Sequence, residues 1–283
     1  EGNHTASNAP NVWGNYSKIR KANLFIEKIT TSNLADNWKK TRMAEARFLR
    51  AYFYAQLWNY YGGVPIITKV LNQAEQGDEI FYARSSFDET YKFIIDELDA
   101  ISSDLTLKPE SGRASRGAGL TLKGWCELFA ASPLNNLSSD KNKWELAAGT
   151  YKQVMDLGVY DLFPDHRALF LEENNNNVEV IFDKPYYRNN SITAVMGPSY
   201  VGSEYRGYGF SNPTQELVDT YLMANGLLIS DPLSGYDPEN PYIGREQRFY
   251  NDIIYDGAEW LGIEVVMKQG VGSKSATDLS NLN

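Results

Sequence analysis

Between positions 42 and 68 the chain reads RMAEARFLRAYFYAQLWNYYGGVPIIT, and no other stretch restricts its folding as much. From about Ala44 to Tyr61 the spacing predicts one helix that is apolar nearly all round. Phe48, Leu49, Tyr52, Phe53, Tyr54, Leu57, Trp58, Tyr60 and Tyr61 leave no clean solvent face, so other elements must surround it. Glu45, Arg47, Arg50, Gln56 and Asn59 cross the same helix, and each needs a specific partner where it is buried. Gly62-Gly63 permits a left-handed C-cap, and Pro65 bars the helix from continuing.

Helical spacing recurs on both sides of this segment. Val12, Tyr16, Ile19, Ala22, Ile26 and Ile29 define an amphipathic helix, with a turn over 30–37 in which Asp36 is a candidate cap. A second pair follows. Ser86 with Glu89 three residues on forms a capping box, ahead of a stripe made by Phe87, Tyr91, Ile94, Ile95, Leu98 and Ile101. Its partner runs from about Ser115 to Ala131 and ends before Pro133. A fifth helix, from Lys143 to Leu157, stops at Gly158. The fold class predicted is mainly α, with tetratricopeptide-like helix pairs over 12–160, each unit burying its apolar face on the next.

After Asp161 the texture changes. Asn174 to Asn177 reads as a loop, and Val178-Glu179-Val180-Ile181-Phe182 alternates as a short strand does. Residues 185–213 have loop composition, rich in Gly, Tyr, Asn, Ser and Pro. A short helix follows over 213–221. The expectation is a single domain over 1–283, whose second part, 161–283, is irregular and carries a few short strands.

Net charge of -9 argues against nucleic acid, which demands clustered positive surface, and against direct adhesion to an anionic membrane. No run of about 18 apolar residues is present to span a bilayer. The opening residues show neither a basic start nor an apolar stretch, so no signal peptide is read there. Cys126 is the only cysteine, which removes intrachain disulfides and cysteine metal sites and leaves a buried thiol as its reading. His4 and His166 have no metal-ligand spacing, no Gly-rich phosphate cradle opens a helix, and no carboxylate pair stands out. No cofactor, metal site or catalytic residue is predicted, and the chain reads as a binding protein rather than an enzyme.

The pieces Ala44-Glu45-Ala46-Arg47-Phe48-Leu49-Arg50-Ala51 and Tyr60-Tyr61-Gly62-Gly63-Val64-Pro65 resemble the signature of the SusD/RagB family, the glycan-binding outer-membrane lipoproteins of Bacteroidetes. Further similarities lie at Ile19-Arg20-Lys21-Ala22-Asn23, Ile95-Asp96-Glu97-Leu98 and Trp144-Glu145-Leu146-Ala147-Ala148. Another runs from Asn240 to Tyr250, where Glu246-Gln247-Arg248 replaces the Asp-Pro-Arg common in the family. Ile253-Ile254-Tyr255-Asp256-Gly257 matches a family strand and turn. The resemblance implies a SusD-like α/α superhelical scaffold. It also implies a surface-exposed lipoprotein of the outer membrane, anchored by lipid outside this chain, with a glycan ligand and a TonB-dependent SusC-like transporter as partners. Family members are usually around twice as long, so the chain is expected to be incomplete at both ends.

Aromatic residues exceed what a helical core needs, with 19 Tyr, 12 Phe and 6 Trp. Tyr and Trp pair a flat apolar face with a polar edge, which suits sugar rings. The densest candidate ligand surface is the loop stretch holding Asn189, Asn190, Tyr200, Tyr205, Arg206, Tyr208 and Phe210, with Trp260 as a second candidate. The competing reading is that these rings glue an irregular region onto the helices. Trp13, at a helix start, reads as core. Besides glycan capture, three readings remain: a peptide-binding RagB-like member, an intracellular helical-repeat adaptor, and a helical-toroid glycosidase.

Overall fold

The computed structural model describes residues 5, 9, 11–185, 200–201, 204–205, 212–260 and 262–265. They belong to two compact units, Glu1–Leu162 with Asn176–Pro185, and Phe163–Asn175 with Tyr186–Asn283. The first unit is helical: α1 (Asn15–Thr30), α2 (Asp36–Tyr61), the single turn α3 (Gln73–Gln76), α4 (Phe87–Ile101), α5 (Arg116–Ala131) and α6 (Lys141–Asp156). α1 packs on α2, α2 on α4, α4 on α5 and α5 on α6, so the long helices stack in chain order as irregular pairs.

Local chemistry sets most of the helix starts. Ser86 and Glu89 close the capping box reciprocally at α4, with Ser86 Oγ 3.1 Å from Glu89 N and Glu89 Oε2 2.7 Å from Ser86 N. Ser115 Oγ accepts from Ala118 N at 2.9 Å at α5, and Asp140 accepts from Asn142 N at α6. α2 departs from expectation. It begins at Asp36, eight residues before the signature, and Asp36 is its first helical residue rather than its cap.

α2 is the axle of the unit. Phe48, Ala51, Tyr54, Leu57 and Trp58 are buried in one cluster with Ile19 of α1, Ile94 and Leu98 of α4, and Cys126 of α5. Their polar edges all find partners. Trp58 Nε1 donates to Phe87 O at 3.1 Å, while the Tyr54 hydroxyl donates to Ile67 O and accepts from Ile67 N. Burial pushes that hydroxyl up to about 12, so it stays a donor.

The charged residues of α2 are tied just as closely. Glu97 of α4 receives the Arg50 guanidinium through Nη2 at 2.5 Å and the Arg47 guanidinium through Nη2 at 2.7 Å. Arg50 Nη1 reaches back to Asn23 of α1 at 2.8 Å, so one side chain connects three helices. Glu45 accepts from Arg42 at 2.6 Å and from Arg113, in the segment before α5, through Nε and Nη2 in one bidentate contact.

The α2 exit demands both glycines, for different reasons. Gly62 sits at φ +69, ψ -126, a glycine-only conformation rather than the predicted left-handed helical cap. At Gly63 a Cβ would stand 1.9 Å from the Ser85 carbonyl oxygen, so backbone approach forbids any side chain. Arg84 then donates to the carbonyls of Tyr61 and Gly63.

The alternating segment Val178–Phe182 is not a strand. It forms turns and bends, touched by a backbone bond from Asp161 N to Val178 O at 3.3 Å rather than by a ladder, and its Phe182 ring meets Phe48 edge-on at 5.2 Å. Trp13 is not core either: it is 48% exposed and lies flat on Tyr61, 4.0 Å between ring centres.

In the second unit the described residues hold the hairpins β1 (Tyr200–Val201) with β2 (Glu204–Tyr205) and β3 (Glu259–Trp260) with β4 (Ile263–Glu264), and the short helices α7 (Gln215–Thr220) and α8 (Gln247–Asp252). Of the strand and turn expected over Ile253–Gly257, the turn stands at Asp256-Gly257, but the residues before it are not a strand; the ladder comes after it, at Glu259–Trp260. Phe249 of α8 is fully buried among Tyr221, Tyr242, Tyr250 and Tyr255. Arg245 lies over its ring at 4.8 Å and donates to the carbonyls of Val218, Tyr221 and Pro241.

Two substitutions test the close approach at Gly63. Gly63→Ala is expected to lower unfolding free energy by at least about 2 kcal/mol, because backbone must move. Gly149→Ala, in open space inside α6, is expected to raise it by about 0.5–1 kcal/mol. Urea unfolding followed by circular dichroism reads both. Equal effects would contradict the packing described. By the same measurement Glu97→Ala is expected to cost about 3 kcal/mol, since it strands two guanidinium groups.

Candidate functional site

One cleft in the helical unit combines aromatic faces with neutral hydrogen-bonding groups. It has a volume of about 590 Å³, within the roughly 300–1,000 Å³ of small-molecule sites. α2 contributes one continuous face, Phe48, Tyr52, Ala55, Gln56, Asn59 and Tyr60, at steps of three and four. α5 answers with Ala118, Thr121, Leu122 and Trp125, at the same steps. Tyr151 of α6 joins them because Gly124 lets its ring come close: a Cβ there would stand 3.1 Å from the ring. Ile181 and Phe182 close one end, and Val12 borders the other wall.

The platform residues are braced from behind. Trp125, 38% exposed, stacks parallel on Phe129 at 5.8 Å, and Phe129 meets the buried Trp58 edge-on at 5.0 Å. Gln56 Oε1 is held by Asn15 Nδ2 at 2.8 Å, while no described residue engages its amino group. Asn59 and Tyr60 are exposed. The Thr121 hydroxyl is enclosed and has no partner among the described residues. Burial raises the Tyr151 hydroxyl above its ordinary range, helped by Cys126 and Glu127, so it is neutral.

Beneath this wall Glu127 is 1% exposed. Burial pushes its carboxyl above the usual range, opposed by Thr150 and by Lys123 at 3.9 Å. A second hollow, about 310 Å³, is lined by charged loop residues including Lys108, Glu110, Arg113 and Asp183. Its Arg113 is already committed to Glu45, so the aromatic cleft is the stronger candidate.

Of the residues singled out from sequence, Asn189, Asn190, Arg206, Tyr208 and Phe210 lie outside the described residues. Tyr200 and Tyr205 are register partners across the β1–β2 hairpin. Trp260 is half-buried on β3, paired with Ile263, and its Nε1 is enclosed without a partner among the described residues. Sequence reasoning missed the α2–α5 cleft: the row Tyr52, Gln56, Tyr60 at steps of four marks one face of α2 but not that this face lies open. His166 lies 3.7 Å from Asp252, and no group of three metal-ligating side chains occurs among the described residues. Nor is any described helix long and apolar enough to cross a membrane.

Stacked irregular helix pairs define a class of helical scaffold, and comparison with known proteins gives it a name. A family model described as starch-binding and associating with the outer membrane matches residues 2–122, and the SusD family model matches residues 178–283. A SusD-like protein of Bacteroides fragilis has the same fold with a TM-score of 0.79 and 30% identity, over 95% of this chain and 55% of its own. A SusD-like carbohydrate-binding protein of the same species gives 0.77 and 28%, over 94% and 51%. A SusD-like protein of Bacteroides ovatus is 26% identical over 230 residues, 75% of this chain and 42% of its own. The chain belongs to the SusD/RagB family. It spans about half the length of these relatives.

Glu127 offers a check on the wall behind the cleft. A carboxyl raised on folding stabilises the protein least at high pH: stability falls as pH rises from the ordinary carboxylate range through the raised value, then levels off. Glu127→Gln is therefore expected to raise the thermal midpoint at pH 8 and leave it unchanged at pH 4. A gain of equal size at both values would contradict the assignment.

Proposed function

We propose that this chain captures oligosaccharide at the outer face of the cell and passes it, without chemical change, to a TonB-dependent SusC-like transporter. The observation that carries this reading is the α2–α5 cleft, where exposed Trp125 and Tyr60 stand beside the amides of Gln56 and Asn59. Aromatic faces stack on the C–H faces of sugar rings, and amides bond the hydroxyls at the ring edge. Family membership supports it, as does the carbohydrate binding named for the relative of 28% identity. Attachment to the outer membrane by lipid accords with the outer-membrane association in the matched family description. The Tyr-rich loop of Asn189, Asn190, Tyr200, Tyr205, Arg206, Tyr208 and Phe210, and Trp260, remain proposed further ligand contacts.

Titration calorimetry against oligosaccharide and peptide pools, with a reducing-sugar assay on the same mixtures, tests the reading. Saturable glycan binding with Kd between about 10 µM and 1 mM and no new reducing ends is expected. Trp125→Ala is expected to weaken it about tenfold, as the loss of an aromatic anchor does. Heat from peptides alone would favour the RagB-like alternative, and released sugar would overturn binding without turnover.

A further inference from the structure

We propose that the α2–α5 cleft selects uncharged saccharide segments and rejects those bearing carboxylate or sulfate. This rests on the glycan-binding reading and narrows it. Among the described residues no acidic or basic side chain lines the cleft; its polar groups are the Gln56 and Asn59 amides and the hydroxyls of Tyr52, Tyr60, Tyr151 and Thr121. Amides and hydroxyls both donate and accept, which matches the mixed character of sugar hydroxyls. An anionic group entering the same space would lose water with no cation among the described lining residues to replace it, and that is costly. Lys18 is outside the lining: it donates to Asn15 Oδ1 at 2.9 Å and reaches Gln56 only through Asn15.

The nearby guanidinium groups cannot make up the deficit. Arg47 and Arg50 project from other positions of the same helix and are held by Glu97, while Arg113 is held by Glu45. Recruiting any of them would break an ion pair that joins α2 to its neighbours. On α2 the Arg47 and Arg50 side faces away from the cleft row, while Glu45, in line with Tyr52 and Gln56 but two turns earlier, is taken up by Arg42 and Arg113. The uncharged lining is the physical basis of the selectivity.

The chain's net charge of -9 also repels anions, but at long range, and salt separates the two effects. Screening shortens the reach of surface charge to about 4 Å near 0.5 M salt, while a desolvated contact in the cleft is little affected. The test uses neutral glucan, mannan and galactan oligosaccharides, each paired with the counterpart in which primary alcohols are oxidised to carboxylates. Affinities are measured by calorimetry at about 0.15 M and about 0.5 M NaCl. The neutral member of a bound pair is expected to bind at least about tenfold more tightly at both salt concentrations. In Asn59→Lys, which sets a cation at the exposed rim, that ratio is expected to shrink, with circular dichroism confirming an unchanged fold.

Equal affinity within a pair, preference for the oxidised member, or discrimination that vanishes at high salt would each overturn the proposal while leaving glycan binding intact. An unchanged ratio in a folded Asn59→Lys protein would overturn it as well. Binding of no member of any pair would remove the glycan reading and the proposal with it.

Discussion

The carboxylate of Glu97 between Arg47 and Arg50 is the contact on which the helical unit depends. Arg50 and Glu97 are both nearly removed from solvent, and ions so placed are tolerable only with complete pairing. Any slip of α4 along α2 would leave charge without a partner, at a cost no gain in apolar contact offsets. Arg50 extends the same constraint to α1 through Asn23, whose own amino group donates to the carbonyls of Ile67 and Lys69. Hydrophobic burial drives these helices together; the ion cluster decides at which register they meet.

With the register set, the remaining faces of α2 are assigned by geometry. Its buried aromatics serve the core, and the row from Phe48 to Tyr60 opens onto the cleft. The two uses are coupled, because Trp125 rests on Phe129 and Phe129 on Trp58. A ligand stacked on Trp125 thus meets a surface already immobilised by the core, which reduces the entropy lost on binding. Gly124 belongs to the same design, since a side chain there would push Tyr151 out of the wall.

The features legible in the sequence were those whose causes are local. Ser86 with Glu89 announced the start of α4, Ser115 that of α5, and Gly62-Gly63 with Pro65 the end of α2, because capping and backbone freedom act over a few residues. Features that depend on distant neighbours were misread. Val178–Phe182 alternates as a strand does, yet it forms turns and bends, and its Ile181 and Phe182 line the cleft instead. Trp13 looked like core but pairs with Tyr61 at the surface, a contact between residues 48 positions apart. The cleft itself went unnoticed because Tyr52 and Tyr60 cannot be told from core aromatics until the helix opposite them is placed.

By itself the sequence determined the mainly α class, the order of the helices, the caps of α4 and α5, the family and the net negative charge, all of which follow from periodicity, short motifs or composition. Only the tertiary structure decided which face of α2 is walled in by charge and which is left neutral beside α5. That outcome depends on Glu97 and Asn23 reaching α2 from separate parts of the chain, and on Gly124 admitting a ring from a third helix. Long-range pairing leaves no periodic trace in a linear sequence, because its partners are neighbours only after the chain has folded.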